Sequence, residues 1–93
     1  MDKEAQKWFV YILQCDDNTL YTGITTNLKQ RLHEHNHSPK GAKYTKGRRP
    51  VALLYSEKHP SRSAAASREY QIKRFTRKQK KQLIGKLKIN AVN

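Results

Sequence analysis

Two short runs of β-branched and aromatic residues, separated by three polar residues, constrain the fold of this chain more than any other feature. The first run, KWFVYILQC, covers residues 7–15, and the second, LYTGI, covers residues 20–24. Asp-Asp-Asn at residues 16–18 predicts a β-hairpin turn, because Asn18 can take the left-handed conformation that closes a three-residue loop. The chain therefore begins its fold with two antiparallel strands.

The length of the turn also predicts which side chains share a face. A three-residue loop centred on Asp17 pairs Leu13 with Tyr21 and Tyr11 with Gly23. Tyr11 and Tyr21 then point to the same side of the sheet, whereas a slip of one residue would put them on opposite sides. We expect the two tyrosines to be neighbours.

The rest of the chain predicts a helix over 27–36, a long basic loop over 38–50, a buried strand over 51–55 and two further helices over 61–75 and 76–85. Each helix begins with a side chain that can cap it, and in the first and third a glutamine three residues later completes a capping box. A glycine is expected to end the last helix. No internal repeat or domain boundary is visible, so the prediction is a single domain over 1–93, with a core at about 8–84 and flexible termini.

Two of these helices carry charged groups on the side that must face the sheet. The stripe of the first helix is formed by Leu28, Arg31, Leu32 and His35. The stripe of the second is formed by Ala65, Glu69 and Ile72. Charges at core-facing positions are costly unless they are paired or functional.

Taken singly, each of these polar residues has a structural explanation, such as an ion pair between Glu69 and Lys73 one turn away. Taken together, they predict one site at the edge of the core. Its expected members are Tyr11, Tyr21, Arg31, His35 and Glu69.

Charge is divided unevenly along the chain. Residues 1–31 have no net charge, whereas residues 32–93 hold sixteen Lys and Arg against three acids, a net of +13. Such a field attracts polyanions, of which nucleic acid is the commonest. The contacts are expected from the loop residues Lys40, Lys43, Tyr44, Lys46, Arg48 and Arg49. They would hold the backbone without reading sequence, Tyr44 would stack on an unpaired base, and basic residues of the last helices would extend the surface.

Several other classes of protein are excluded or disfavoured. A single cysteine allows no internal disulfide, and no stretch fits a secretory signal or a membrane-spanning helix, so we expect a cytoplasmic protein without a membrane partner. The HEHNH run at residues 33–37 suggests zinc, but histidines two apart on a helix lie about 200° apart and cannot close on one ion.

The ordered set of motifs resembles the GIY-YIG endonuclease superfamily, which includes the N-terminal nuclease domain of the UvrC repair protein. The resemblance is carried by Val10-Tyr11-Ile12, by Tyr21-Thr22-Gly23, by Arg31 and His35 one turn apart and by a helical Glu69. GAKYTKGRRP followed by VALLY is similar in particular to the small stand-alone bacterial branch. The sequence departs from the pattern at Phe9-Val10-Tyr11, at Thr22 and at Ile24, where some repair relatives have a lysine.

The resemblance implies an α+β fold, a three-stranded antiparallel sheet flanked by helices, and hydrolysis of phosphodiester bonds with one Mg²⁺ or Mn²⁺ ion. It places Tyr11, Tyr21, Arg31 and His35 at catalytic positions, Glu69 at the metal ligand and Gly23 at the motif glycine. It further implies DNA as the substrate, with RNA as an alternative, and roles in repair or recombination.

Part of this mechanism follows from the residues themselves. Glu69 is the one acid after residue 31 on a core-facing stripe, which favours a single ion over a two-metal site. Arg31 would neutralise charge on the phosphoryl oxygens, and Tyr11 would orient or deprotonate the attacking water. A nucleic-acid-binding module with little activity is the alternative, and a ribosome-associated role is a third hypothesis. The protein partner and the oligomeric state are left open.

Overall fold

Three strands and four helices make up the fold, and the computed structural model describes residues 7–92 of the chain. The elements in order are β1 (Trp8–Gln14), β2 (Leu20–Thr25), α1 (Leu28–His37), α2 (Lys43–Lys46), β3 (Ala52–His59), α3 (Arg62–Lys73) and α4 (Arg77–Val92). No helix within 7–92 is both long enough and apolar enough to span a bilayer. The expectation of flexible termini concerns residues 1–6 and 93, which lie outside the described residues.

The hairpin has the predicted turn and register. Asn18 adopts the left-handed conformation with φ of 68°, and the Cys15 amide donates to the Thr19 carbonyl at 2.8 Å. Tyr11 pairs with Gly23, so the expected facing of the strands is confirmed.

The sheet is antiparallel with the order β2-β1-β3, which confirms the expected α+β fold. Its two faces bury separate clusters. One cluster contains Tyr11, Leu13, Cys15 and Val51 and packs against the leucines of α1. The other brings Val10 and Ile12 of β1 together with Ala65 and Ile72 of α3 and Ile84 of α4. We call these the α1 face and the α3 face.

The helix starts follow the capping residues. Asn27 accepts a hydrogen bond from the Gln30 amide at 3.0 Å, and Ser61 accepts one from Ala64 at 3.1 Å. At α4 the capping box is reciprocal, because Thr76 and Gln79 each bond the other's backbone amide. At α1 the box is incomplete: the Gln30 side chain bonds Glu34 instead of returning to the cap.

Three predicted boundaries are wrong. Helix α4 continues through Gly85, which has neither a positive φ nor a tertiary reason to stop the helix. Strand β3 runs to His59 instead of ending at residue 55, because its polar second half completes the backbone pairing with β1 up to Trp8. The expected burial of this strand is also wrong, because β3 lies at the edge of the sheet and none of its residues is buried. The segment 38–50 is not all loop, since the Ala42 carbonyl accepts from the amides of residues 45 and 46 and closes the turn α2.

Candidate active site

The motif glycine lets the hydroxyl of Tyr11 lie over the neighbouring strand. A Cβ built on Gly23 would lie 2.5 Å from the Tyr11 hydroxyl oxygen and 3.1 Å from the Tyr21 ring. Any side chain at this position would therefore displace one of the two tyrosines. Their ring centroids are 6.4 Å apart on the α1 face, as the hairpin register predicts.

Helix α1 brings His35 against both tyrosines. His35 is fully buried, its Nε2 lies 2.8 Å from the Tyr11 hydroxyl oxygen, and its ring centroid is 5.2 Å from that of Tyr21. On the other side of the ring, Nδ1 lies 2.9 Å from Oγ1 of Thr45, which is also fully buried. The sequence predicts the meeting of His35 with the tyrosines, but it does not predict Thr45.

Burial shifts both ends of the Tyr11–His35 hydrogen bond toward the neutral forms. It raises the pKa of Tyr11 to about 12, although the nearby Arg31 guanidinium acts in the opposite direction. It lowers the pKa of His35 to about 4, and the positive charges of Arg31 and Arg49 act the same way. At neutral pH a protonated tyrosine therefore faces an uncharged imidazole.

Arg31 is half-buried beside this pair and is held in place by α1 and the following loop. Its Nη1 donates to Glu34 Oε1 at 2.9 Å and to the carbonyl of Lys40 at 2.9 Å. Burial alone would lower the pKa of Arg31, but the carboxylate of Glu34 and the Tyr11 hydroxyl raise it. The site therefore has a permanent, oriented positive charge next to Tyr11.

Glu69 lies on α3 near enough to Tyr11 for its charge to raise the pKa of that tyrosine. The carboxylate is 22% exposed, and its Oε2 pairs with Lys73 at 3.2 Å. The ion pair that would give Glu69 a purely structural role is therefore present as well. One partly exposed carboxylate suits a hard cation that keeps most of its water, as Mg²⁺ does. Glu69 is thus the residue of this site that could hold one Mg²⁺ or Mn²⁺ ion.

The HEHNH run does not form a zinc site. His35 points into the core, while His33 and His37 stay exposed with ring centroids 4.8 Å apart. Among the described residues, no group of three or more His, Cys, Asp or Glu side chains comes together.

The predicted nucleic-acid residues divide into two groups. Lys40, Lys43 and Lys46 are exposed, as is Tyr44, whose ring stacks near Tyr21 with centroids 6.0 Å apart. Arg48 lies 4.0 Å from the centroid of the Tyr44 ring and pairs with Asp17 of the hairpin at 3.0 Å.

Arg49 points inward instead. It donates to the carbonyls of Glu34, His35 and Ser38, and so caps the C-terminal end of α1. The exposed basic surface of the segment is therefore formed by its lysines and Arg48, and Arg49 supports the helix that carries His35.

Several residues that shape the site were not predicted. Gly41 allows the loop to pass α1 closely, because a Cβ there would lie 2.8 Å from the Glu34 carbonyl oxygen. The Asn36 side chain bonds both the amide and the carbonyl of Val51, which aligns the start of β3. A conspicuous glycine in a basic loop was the only signal in the sequence for these contacts.

Residues 7–82 match the family of GIY-YIG catalytic domains. The chain belongs to the GIY-YIG family. This is a family of nucleases that act on nucleic acid, so the expectation drawn from the two tyrosine motifs is confirmed at that level. The family match covers both strands of the hairpin, α1 and α3, and hence every residue of the candidate site.

Small proteins named UPF0213 are among the similar relatives. One from Desulfotalea psychrophila is 57% identical over 83 residues, covering 89% of this chain and 76% of its own length. One from Staphylococcus haemolyticus is 56% identical over 78 residues, covering 84% of this chain and 94% of its own.

Two solution NMR structures are similar to this GIY-YIG domain. The UPF0213 protein of Bacillus halodurans has a TM-score of 0.55 at 43% identity, covering 85% of this chain and 83% of its own. A protein from E. faecalis has a TM-score of 0.62 at 37% identity, covering 96% of this chain and 93% of its own.

Proposed function

We propose that this GIY-YIG protein is a divalent-metal-dependent endonuclease that hydrolyses phosphodiester bonds of DNA and selects the structure of its substrate more than its sequence. The observation that carries the proposal is the buried Tyr11–His35 hydrogen bond beside the oriented guanidinium of Arg31. A tyrosine coupled to a neutral imidazole is suited to handle the proton of an attacking water. A planar cation beside it is suited to the charge that develops on a phosphoryl group.

Each residue has a distinct role in this proposal. Glu69 holds a single Mg²⁺ or Mn²⁺ ion, which when bound supplies positive charge to the scissile phosphate. Arg31 contacts the phosphoryl oxygens and Tyr11 receives the attacking water. Tyr21 packs against His35 and keeps its ring in place.

The shape and charge of the molecule support a polymeric substrate. Two cavities of about 310 and 270 Å³ lie against α4, and none of the five site residues lines either of them. The partly exposed side chains of the candidate site, Tyr21, Arg31 and Glu69, lie near exposed lysines, which suits a polyanion lying across the surface better than an enclosed small molecule. A function in DNA repair or recombination is part of the same proposal.

The decisive experiment is a cleavage assay with the full chain on labelled duplex, single-stranded and branched DNA, and on RNA of the same sequences. We expect Mg²⁺- or Mn²⁺-dependent cleavage that chelation abolishes. Glu69→Gln and Tyr11→Phe should each lower the rate by about 100-fold or more. Cleavage that survives Glu69→Gln unchanged, or no cleavage of any substrate, would contradict the proposal.

Matched controls come from the α3 face. Tyr55 is half-buried and, like Tyr11, hydrogen-bonded through its hydroxyl, in its case to Glu57 at 2.5 Å, and Arg68 pairs with the same carboxylate at 2.8 Å. Tyr55→Phe and Arg68→Lys therefore remove comparable contacts outside the site. We expect them to lower stability without the loss of turnover that we expect for Tyr11→Phe and Arg31→Lys.

A nucleic-acid-binding module with little catalysis is the second candidate. It is favoured by the ion pair that occupies Arg31 and by Ile24, which follows the motif glycine where some relatives have a lysine. Salt-dependent binding with no turnover, unchanged by Arg31→Lys, would support this candidate and exclude the first.

A further inference from the structure

Thr45 is the one buried residue of the α2 turn. Its neighbours Lys43, Tyr44 and Lys46 are exposed, whereas the Thr45 side chain is fully buried and reaches His35. Burying a hydroxyl in this way is costly unless its hydrogen bonds are made. Thr45 makes two: one to His35 and one to the carbonyl oxygen of Ala42, at 2.9 Å.

The Ala42 carbonyl indicates in which direction the hydrogen bonds run from Thr45 through His35 to Tyr11. A carbonyl oxygen can only accept, and Oγ1 of Thr45, at 2.9 Å, lies closer to the Ala42 carbonyl oxygen than either of the two backbone amides that also donate to it, at 3.1 and 3.2 Å. This contact favours placing the single hydroxyl proton of Thr45 on the Ala42 side, with Oγ1 as an acceptor toward His35. In this arrangement His35 donates from Nδ1–H, and its Nε2 is an acceptor. The Tyr11 hydroxyl donates to that Nε2, which leaves the phenol oxygen only lone pairs to offer outward.

We propose that Thr45 is a positioning residue that holds His35 in the tautomer protonated at Nδ1, so that Tyr11 faces the attacking water as a hydrogen-bond acceptor. The role toward water rests on the proposed nuclease function, whereas the tautomer does not. In the opposite direction Thr45 would donate to Nδ1, and the ring proton would lie on Nε2. Nε2 would then donate to the Tyr11 oxygen, and the Tyr11 hydroxyl proton would be free to donate outward. Tyr11 would then be suited to protonate a leaving group and not to receive water.

The test combines a spectroscopic readout with cleavage. Nitrogen-15 NMR of the histidine rings in the wild type should show His35 protonated at Nδ1 and unprotonated at Nε2. Thr45→Val keeps the shape of the side chain and removes the acceptor, so we expect the Nδ1–H signature to disappear and kcat to fall about 10- to 100-fold with little change in KM. Thr45→Ser restores the acceptor and should recover both the tautomer and the cleavage.

The outcomes are separable. A wild-type His35 protonated at Nε2, or an unchanged tautomer in Thr45→Val, overturns the inference whether or not the protein cleaves. If Thr45→Val does not fold, the tautomer of His35 in the wild type and in Thr45→Ser still tests the inference, because both should be protonated at Nδ1. Absence of cleavage in the wild type, with the expected tautomer, counts against the nuclease function and leaves the positioning role intact.

A separate observation concerns Tyr70, the most exposed large apolar side chain among the described residues, at 66%. Arg74 donates to its hydroxyl at 3.3 Å and lies 5.6 Å from the centre of its ring. This pair runs along α3 directly beside the Glu69–Lys73 pair, and no acidic residue occurs from residue 70 to the end of the sequence.

An exposed aromatic ring in a basic surface is the arrangement that binds unpaired nucleotides by stacking. We infer that Tyr70 and Arg74 form a stacking site for an unpaired base next to the scissile phosphate. This inference rests on the proposed function, and it makes single-stranded or branched nucleic acid the preferred substrate class over a continuous duplex.

Binding at low salt to a single-stranded oligonucleotide and to the matching duplex tests this site. Tyr70→Ala should weaken single-strand binding by about 5- to 150-fold, with less than about twofold effect on the duplex, and Tyr70→Phe should retain the single-strand affinity of an aromatic ring. An equal loss on both substrates, or no loss, overturns the stacking site while cleavage by the wild type would still support the nuclease. Absence of wild-type binding to either substrate overturns both.

Discussion

At the scale of single residues, Gly23 positions the catalytic candidate Tyr11 by having no side chain. The Tyr11 hydroxyl passes over the glycine to reach His35, in a space that a methyl group would occupy. The aromatic pair and the histidine can therefore meet only if this position stays empty.

Gly23→Ala should push the Tyr11 hydroxyl away from His35. We expect a loss of about 1–3 kcal/mol in the free energy of unfolding, since overpacking forces side chains from their rotamers, together with loss of cleavage. Thermal unfolding and the cleavage assay measure both effects. Gly47→Ala is the control, because a Cβ there meets no atom within 4 Å, and equal effects of the two variants would contradict the explanation.

Thr22 offers a stabilising substitution inside the second motif. It is buried at 3% exposure, and its hydroxyl oxygen has no hydrogen-bond partner among the described residues. Thr22→Val keeps the shape and removes the uncompensated hydroxyl, so stability should rise by about 1 kcal/mol. Chemical denaturation would show this as a higher midpoint at constant slope, and a lower midpoint would mean that the hydroxyl is satisfied after all.

His35 should make the fold sensitive to mild acid. Its pKa falls from 6.5 in the unfolded chain to about 4 in the fold, so between these values the unfolded state binds more protons and stability decreases as pH falls. We expect a loss of about 3 kcal/mol by about pH 4, measured by denaturation at a series of pH values.

A variant that cannot titrate isolates this effect. His35→Gln should flatten the pH dependence between the unfolded pKa of 6.5 and the folded pKa of about 4. The carboxyl of Glu57, whose pKa is lowered by its bonds to Arg68 and Tyr55 against the effect of burial, adds its own loss only below its unfolded value of 4.5. An unchanged pH profile in His35→Gln would assign the acid sensitivity to other groups.

At the scale of elements, α4 is longer than its sequence pattern indicates. Gly85 lies within it at a position with ordinary φ and open space around a built Cβ. The glycine therefore lowers the stability of the helix, and no turn or close contact requires it.

Gly85→Ala should stabilise the protein by about 0.5–1 kcal/mol. Thermal unfolding and helical circular dichroism would both register the change. A destabilised variant would mean that the chain bends or ends at this glycine, as the sequence alone suggests.

At the scale of the whole molecule, the net positive charge is confined to one part of the chain. The hairpin and the start of α1 supply Tyr11, Tyr21 and Arg31 from a part of the chain with no net charge. The basic remainder supplies the α2 lysines and the last two helices. In the proposed function the basic remainder would attract the polyanion and also supply His35 and Glu69, whereas the part without net charge would supply Tyr11, Tyr21 and Arg31.

Salt dependence of nucleic-acid binding tests this division. Converting Lys78, Lys80 and Lys81 to Gln should reduce the slope of log affinity against log salt by about 0.9 for each phosphate of duplex DNA that these lysines neutralise. Lys29→Gln, in the neutral third of the chain, is the control. Fluorescence anisotropy from low to moderate salt gives both slopes, and a slope unaffected by the α4 substitutions would remove this helix from the binding surface.

The sequence by itself determined the hairpin register, the helix starts and the inward face of α1, because these depend on turn geometry and on hydrogen bonds between near neighbours. It also identified Tyr11, Tyr21, Arg31, His35 and Glu69 as polar residues out of place, since burial of charge conflicts visibly with the pattern of their helices and strands.

Only the tertiary structure decided what surrounds them. Thr45, Glu34 and Arg49 lie in polar stretches whose composition fits an exposed loop as well as a buried contact. Thr45 and Arg49 reach His35 from ten and fourteen residues away along the chain, and their segment has too few apolar residues to indicate which side chains turn inward. The chain of contacts from Ala42 through Thr45 and His35 to Tyr11, on which the proposed tautomer rests, exists only in that packing.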